Sequence, residues 1–198
     1  VPTVHDAADF VGPWYAWWPG DPAPTFGPWP EFGVAVANDD AALGRLSGAD
    51  GAELRAWRGD GNHPYLARVS GEVVACGWSA TRTLAIGELG LVRSLPAGDR
   101  YLWGFVTAEA WRGQGIYPRL IAAIIDQEGA AHRYWIGHEP GHNSSSRGIL
   151  KAGFRQVGEI YRRLAGDFTL IPAGAPERAG IGAAVLGATF VTDGAAGG

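Results

Sequence analysis

The chain has 198 residues, 46% of them hydrophobic and 18% charged, with a formal net charge of -4. That balance belongs to a globular chain with one main core and appended segments, and it excludes disorder throughout. A negative charge without a local basic patch also argues against nucleic acid or an anionic membrane surface as partner.

Cys76 is the only cysteine, which excludes an intramolecular disulfide and any multi-cysteine metal site and suits a reducing cytoplasm. It reads as a small buried hydrophobe in a strand. No apolar run approaches the roughly 18 to 20 residues that a membrane span needs. The N-terminus has no basic region leading into a hydrophobic stretch. The expectation is a soluble, untargeted, cytoplasmic protein.

Residues 10 to 32 crowd Trp14, Tyr15, Trp17, Trp18, Phe26, Trp29 and Phe32 among prolines 13, 19, 22, 24, 28 and 30. Such a mixture suits neither helix nor regular strand, so residues 1 to 32 are expected to be an irregular aromatic arm packed over the domain. Asp39 or Asp40 predicts a cap for a short helix to Leu46, and Asp50 a second one through Trp57. A hairpin follows, Tyr65 to Val69 against Val73 to Gly77, turning at Ser70-Gly71. One further strand is expected over Leu84 to Leu91. Asp99 ends a turn before a stronger strand from Tyr101 to Thr107.

The order then becomes β-α-β-α-β: a helix from Ile116 to Gln127, a strand from Tyr134 to Gly137, a helix from Ser144 to Ala152, and strands around Arg155 to Leu164. Tyr117, Leu120, Ile121, Ile124 and Ile125 make one apolar stripe on the first of these helices. A strand over Phe168 to Pro172 and a helix from Pro176 toward Leu186 complete the pattern, and Asp193 to Gly198 is expected to fray. The implied organisation is an arm (1 to 32), an α/β domain (33 to 172) and a C-terminal extension (173 to 198).

The segment Trp111-Arg112-Gly113-Gln114-Gly115-Ile116-Tyr117-Pro118 joins a strand to a helix through two glycines. The first helical N–H groups lack partners, and the helix dipole favours negative charge there, so this joint is built for a phosphate. Pro118 fits the first helical turn. A dinucleotide loop would need a third small residue where Pro118 stands, and a nucleoside-triphosphate loop would need a lysine, so both readings fail.

Arg112-Gly113-Gln114-Gly115-Ile116 resembles the R/Q-x-x-G-x-G/A signature of the GNAT acetyltransferases, which bind coenzyme A. Phe105-Val106-Thr107 resembles the family strand that pairs with pantetheine, and Asn143 through Gly153-Phe154 resembles the family's N-x-x-S…K-x-G-F segment. The resemblance covers about residues 65 to 164. It implies a mixed, mainly antiparallel central sheet flanked by helices and splayed between two parallel strands. It also implies acetyl-CoA as co-substrate, held by Phe105, Val106, Thr107, Arg112, Gly113, Gln114, Gly115, Ile116, Tyr117 and Asn143.

The implied reaction is N-acyl transfer: an amine attacks the thioester directly while a backbone amide near Val106 stabilises the oxyanion. Two positions depart from the pattern. Tyr117 stands where the signature has a small residue, and Ile149 stands where the family's acidic tyrosine would be. Glu88 and then Asp99 are the candidate bases, and Tyr161 is a candidate replacement acid. Asn143 can also cap its own helix.

His132, His138 and His142 with Glu139 match no helical metal spacing and read as loop histidines, so no metal is expected. The acceptor is a small-molecule or peptide amine. Two rival readings remain: an acyl-CoA-binding module without catalysis, and an interaction protein whose aromatic arm makes a homodimer.

Overall fold

The computed structural model describes residues 9–129 and 133–191. His132 and the stretch from Asp193 to Gly198 lie outside the described residues.

Eleven strands and five helices follow in chain order among the described residues: β1 (Asp9–Trp17), β2 (Phe32–Val36), α1 (Asp40–Ser47), α2 (Gly51–Gly59), β3 (Asn62–Val69), β4 (Glu72–Ala80), β5 (Thr83–Ile86), β6 (Leu91–Ser94), β7 (Arg100–Thr107), α3 (Ile116–Glu128), β8 (Tyr134–Gly137), α4 (Asn143–Lys151), β9 (Arg155–Arg162), β10 (Phe168–Pro172), α5 (Pro176–Leu186) and β11 (Thr189–Phe190). Nine strands form one mixed sheet in the order β11-β10-β9-β1-β8-β7-β4-β3-β2, and β5 pairs with β6 apart from it.

The caps follow from local chemistry. Asp39 accepts the Ala42 amide at the start of α1, and Asp50 with Glu53 forms a reciprocal capping box on α2. Ser70 and Gly71 both take positive φ in the β3-β4 hairpin, as a tight turn matched to strand twist requires.

Two expectations about the first half are overturned. Residues 9 to 17 are not irregular: β1 lies inside the sheet, antiparallel to β8 through Trp14↔Gly137 and to β9 through Asp9↔Arg162. Pro13 is tolerated because the ladder to β8 starts one residue later, at Trp14, and a bulge breaks the β9 ladder between Phe10 and Gly12. The expected strand from Leu84 to Leu91 is instead two short strands, since Gly87 to Leu89 makes a single 3₁₀ turn and Gly90 turns left-handed.

Burial sorts the side chains into layers. Tyr15, Leu102, Tyr134 and Ile136 pack with the α3 stripe Ile116, Leu120, Ile121 and Ile124 on one face. Trp14, Tyr101, Trp135 and Leu170 pack with Ala179, Ala183 and Leu186 of α5 on the other. Alternation along β1 thus sends Trp14 to one layer and Tyr15 to the opposite one. Asp21 secures the turn after β1: its buried carboxylate accepts from Arg178 of α5 at 2.6 and 2.8 Å and lies 3.1 Å from Arg155 of β9.

Candidate active site

β7 and β8 run parallel, yet they pair only at Arg100↔Tyr134 and Tyr101↔Trp135. Beyond those pairs the ladder stops, and a cleft of about 830 Å³ lies against both strands, lined by Trp103 and Gly104 from one and Gly137 and His138 from the other.

The strand β7 is bulged where the cleft begins. β4 contributes only Gly77 between Cys76↔Val106 and Trp78↔Trp103, whereas β7 contributes Gly104 and Phe105. Gly104 takes φ 62°, the left-handed conformation typical of the first residue of such a bulge, and the extra residue leaves backbone groups without ladder partners. The Phe105 ring folds over Gly77, where a Cβ would come within 2.4 Å of it.

Past β7 the chain makes a single 3₁₀ turn, Glu109–Trp111, and enters α3 through Gly113 (φ 77°) and Gly115 (φ 79°). Gly115 is the N-cap residue and no side chain caps the helix. A Cβ at either glycine would meet nothing within 4 Å, so the surface above these amides is open as well as left-handed. Arg112 Nε donates to the Thr107 carbonyl at 3.2 Å, and Gln114 Nε2 to the Ala110 carbonyl at 3.1 Å, which ties the loop to the end of β7.

Tyr117 does not obstruct this loop. Its ring turns inward, edge-on to Phe105 at 5.1 Å between centroids, and rests on Gly148 of α4. A Cβ at Gly148 would stand 2.4 Å from the ring, so the large residue on α3 is matched by a missing side chain on α4. Burial pushes its phenol well above the ordinary value.

The acetyltransferase (GNAT) family model matches residues 9–154. The chain belongs to the GNAT acetyltransferase family. Among solved structures it is similar to a GCN5-related N-acetyltransferase from Kribbella flavida, 19% identical, with 77% of this chain and 57% of that one covered at a TM-score of 0.55. It is also similar to a GCN5-related N-acetyltransferase from Sphaerobacter thermophilus, 14% identical, covering 78% and 51% at a TM-score of 0.56. The chain spans little more than half the length of these two relatives. No curated protein matches it. At such identities the likeness establishes the fold, and it agrees with the mostly antiparallel sheet opened at one parallel pair.

Against this GNAT frame the candidate side chains fall in different places. Asp99 is fully buried at the closed end of the parallel pair, with one oxygen accepting from Arg133 Nε and the other from Trp135 Nε1, both at 2.9 Å. Glu88 is exposed on the 3₁₀ turn, lines the cleft, and has its carbonyl bonded by Arg162 at 3.3 Å. Tyr161 donates its hydroxyl to Glu159 at 2.9 Å and stands outside the set of cleft-lining residues.

Asn143 is exposed in the first turn of α4 but does not cap it. The N-cap residue is His142, and the Asn143 amide bonds back to the Gly141 carbonyl, because the chain enters the helix one residue earlier than its sequence suggests. Ile149 is fully buried. Among the described residues no group of His, Cys, Asp and Glu is placed to hold a metal, and no helix is long and apolar enough to cross a membrane. Cys76 is fully buried in β4, and burial pushes its thiol up to about 11.

Behind the cleft-lining His138 the structure assembles a group that sequence reasoning passed over. Tyr15 Oη lies 2.8 Å from Ser146 Oγ on α4 and 3.4 Å from His138 Nε2 at the end of β8. The rings of Tyr15 and His138 stack at 5.7 Å. Burial raises the Tyr15 phenol above its ordinary value, partly opposed by the Ser146 hydrogen bond. Only the alternation of β1 would have flagged Tyr15, and the surrounding prolines hid that alternation.

Proposed function

We propose that this chain is an N-acyltransferase that moves an acetyl group from acetyl-CoA to a primary amine by direct transfer. The observation that carries the reading is the conjunction of an open, uncapped, left-handed glycine loop with a bulged strand at the mouth of a splayed parallel pair.

Each chain segment has a task in this reading. The amides of Gly113, Gly115, Ile116 and Tyr117, with Arg112 and Gln114 beside them, hold the diphosphate of acetyl-CoA at the start of α3. Asn143, exposed at the start of α4, lies on the same cofactor side. The edge that β7 loses to β8 leaves backbone groups of Phe105, Val106 and Thr107 free to bond an extended amide chain, as an added strand would. An amide at the Gly104-Phe105 bulge supplies the donor for the oxyanion, already aimed before the reaction starts. Acetyl-CoA supplies the activated acyl group.

The acceptor side supports a cationic amine with an apolar body. Trp57, Tyr101 and Trp103 wall the cleft, and Asp60, Glu88 and Glu139 are exposed at its rim. Rings and carboxylates both attract an ammonium group.

Calorimetry tests the first half of the reading. Acetyl-CoA should bind with measurable heat, and the absence of heat from acetyl-CoA and coenzyme A at millimolar concentration overturns it. Thiol release from acetyl-CoA with a panel of primary amines then tests the transfer.

A further inference from the structure

The groups most easily read as bases from the sequence are committed elsewhere. Both oxygens of Asp99 are occupied by Arg133 and Trp135, and Tyr161 is bonded to Glu159. Glu88 stands in water on the cleft rim. Near neutral pH an imidazole is by its chemistry a better proton acceptor for an amine than a solvated carboxylate.

His138 is half-buried, lines the cleft and sits where β8 parts from β7. Its Nδ1 lies 2.7 Å from the carbonyl oxygen of Glu139. A carbonyl only accepts, so Nδ1 carries the hydrogen and the neutral ring keeps its lone pair on Nε2. Two features of β1 then hold the ring. Tyr15 stacks on it with its hydroxyl 2.8 Å from Ser146 Oγ and 3.4 Å from Nε2, and donating to the nearer Ser146 leaves the Nε2 lone pair open. Gly12 lets the β1 backbone close on the His138 carbonyl, where a Cβ would intrude to 2.2 Å.

We infer that His138 is the general base of this site, taking the proton of the acceptor ammonium at Nε2 directly or through one water, with Tyr15 as the residue that positions it. The inference rests on the amine-transfer reading above. The ammonium gives one proton to Nε2, and the freed nitrogen pair forms the C–N bond at the thioester carbonyl. The C–S bond breaks with its electrons on sulfur, the second nitrogen proton goes to the thiolate, and the imidazolium releases its proton to solvent. The titratable group facing the imidazole is Tyr15 from β1; Glu159 on β9 acts on Tyr15, and Asp60, Glu88, Tyr101 and Glu139 share the cleft.

Two measurements test this. Long-range ¹H–¹⁵N correlation spectra of the full chain should show the neutral His138 ring protonated at Nδ1, with a shift in that resonance in Tyr15→Phe. A ring protonated at Nε2 overturns the inference whatever the acceptor. In thiol-release assays His138→Ala and His138→Asn should lose about 10² to 10⁴ in kcat/KM and recover in part with added imidazole. Unchanged turnover in both variants also overturns it. Calorimetric binding of acetyl-CoA by these variants should equal that of the parent chain. A parent chain that binds no acetyl-CoA overturns the transferase reading and the base role with it, whereas a parent that binds and turns over with both variants unchanged overturns the base role alone.

Discussion

The two sides of the splayed strands are built in opposite ways. The proposed cofactor side is local: β7, the glycine loop and the start of α3 occupy one stretch from Arg100 to Tyr117. The proposed acceptor side is assembled from afar, since Tyr15 and His138 are 123 residues apart and Tyr15 must also meet Ser146 of α4. A phosphate grip needs only backbone, which a short motif can specify. A proton acceptor needs a side chain fixed at a chosen angle, which takes support from several elements.

If that contrast holds, damage to the distant supports should cost more than damage to the local loop. The largest effect is expected for Gly12→Ala, which combines a positive φ of 150° with a Cβ 2.2 Å from a backbone carbonyl that cannot swing aside. About 4 kcal/mol of stability should be lost, read as a lower urea midpoint, and acceptor turnover should fall with it.

Asp21→Ala should follow at about 3 kcal/mol, because it strands Arg178 beside the β1 turn. Burial raises the Asp21 carboxyl, but hydrogen bonds from Arg178 and the Trp18 amide outweigh it and hold the group below its ordinary value. A depressed folded value means that this stability is complete above the unfolded carboxylate value of about 3.9 and is lost as pH falls through the folded one. Glu128, bonded by Arg100, His63 and Tyr65 and likewise depressed against its burial, acts in the same direction. Urea midpoints measured from pH 6 down to 2 should therefore show a shallower decline in Asp21→Ala than in the parent chain.

Gly148→Ala tests the fit between α3 and α4. A Cβ 2.4 Å from Tyr117 must push the ring outward, at about 2 kcal/mol, and a displaced ring should weaken acetyl-CoA binding in calorimetry. The smallest change in stability, about 1 kcal/mol, is expected for Gly115→Ala, where the added methyl meets open space. Its acetyl-CoA affinity should nonetheless drop about tenfold as the loop amides turn away from the diphosphate. A Gly115→Ala variant less stable than Gly12→Ala would reverse the comparison.

The sequence was most legible where structure is set by neighbours in the chain. The Ser70-Gly71 hairpin, the capping box at Asp50 and the glycine loop before α3 are each determined within a few residues, and all are found where their chemistry predicts. β1 escaped because Pro13 and Gly12 are poor strand residues in isolation. They are accommodated only by a bulge against β9 and a late start of the β8 ladder, facts that belong to partners more than a hundred residues away. The neighbourhood of His138 is hidden for the same reason: the sequence shows a loop histidine, which the structure also shows, but not the Tyr15 ring stacked against it. The glycine loop was legible as a motif, whereas the packing beneath it, Tyr117 against Gly148, required two helices to meet.

The place of β1 also sets an order of assembly. The strand Asp9–Trp17 cannot be enclosed until both β8 and β9, ending at Arg162, have been made. During synthesis, Trp14, Tyr15 and Trp17 must wait for both partner strands to emerge. Pairings this distant slow folding and leave apolar surface free to find wrong partners. The strand that carries Tyr15 is therefore also one that leaves the nascent chain open to aggregation.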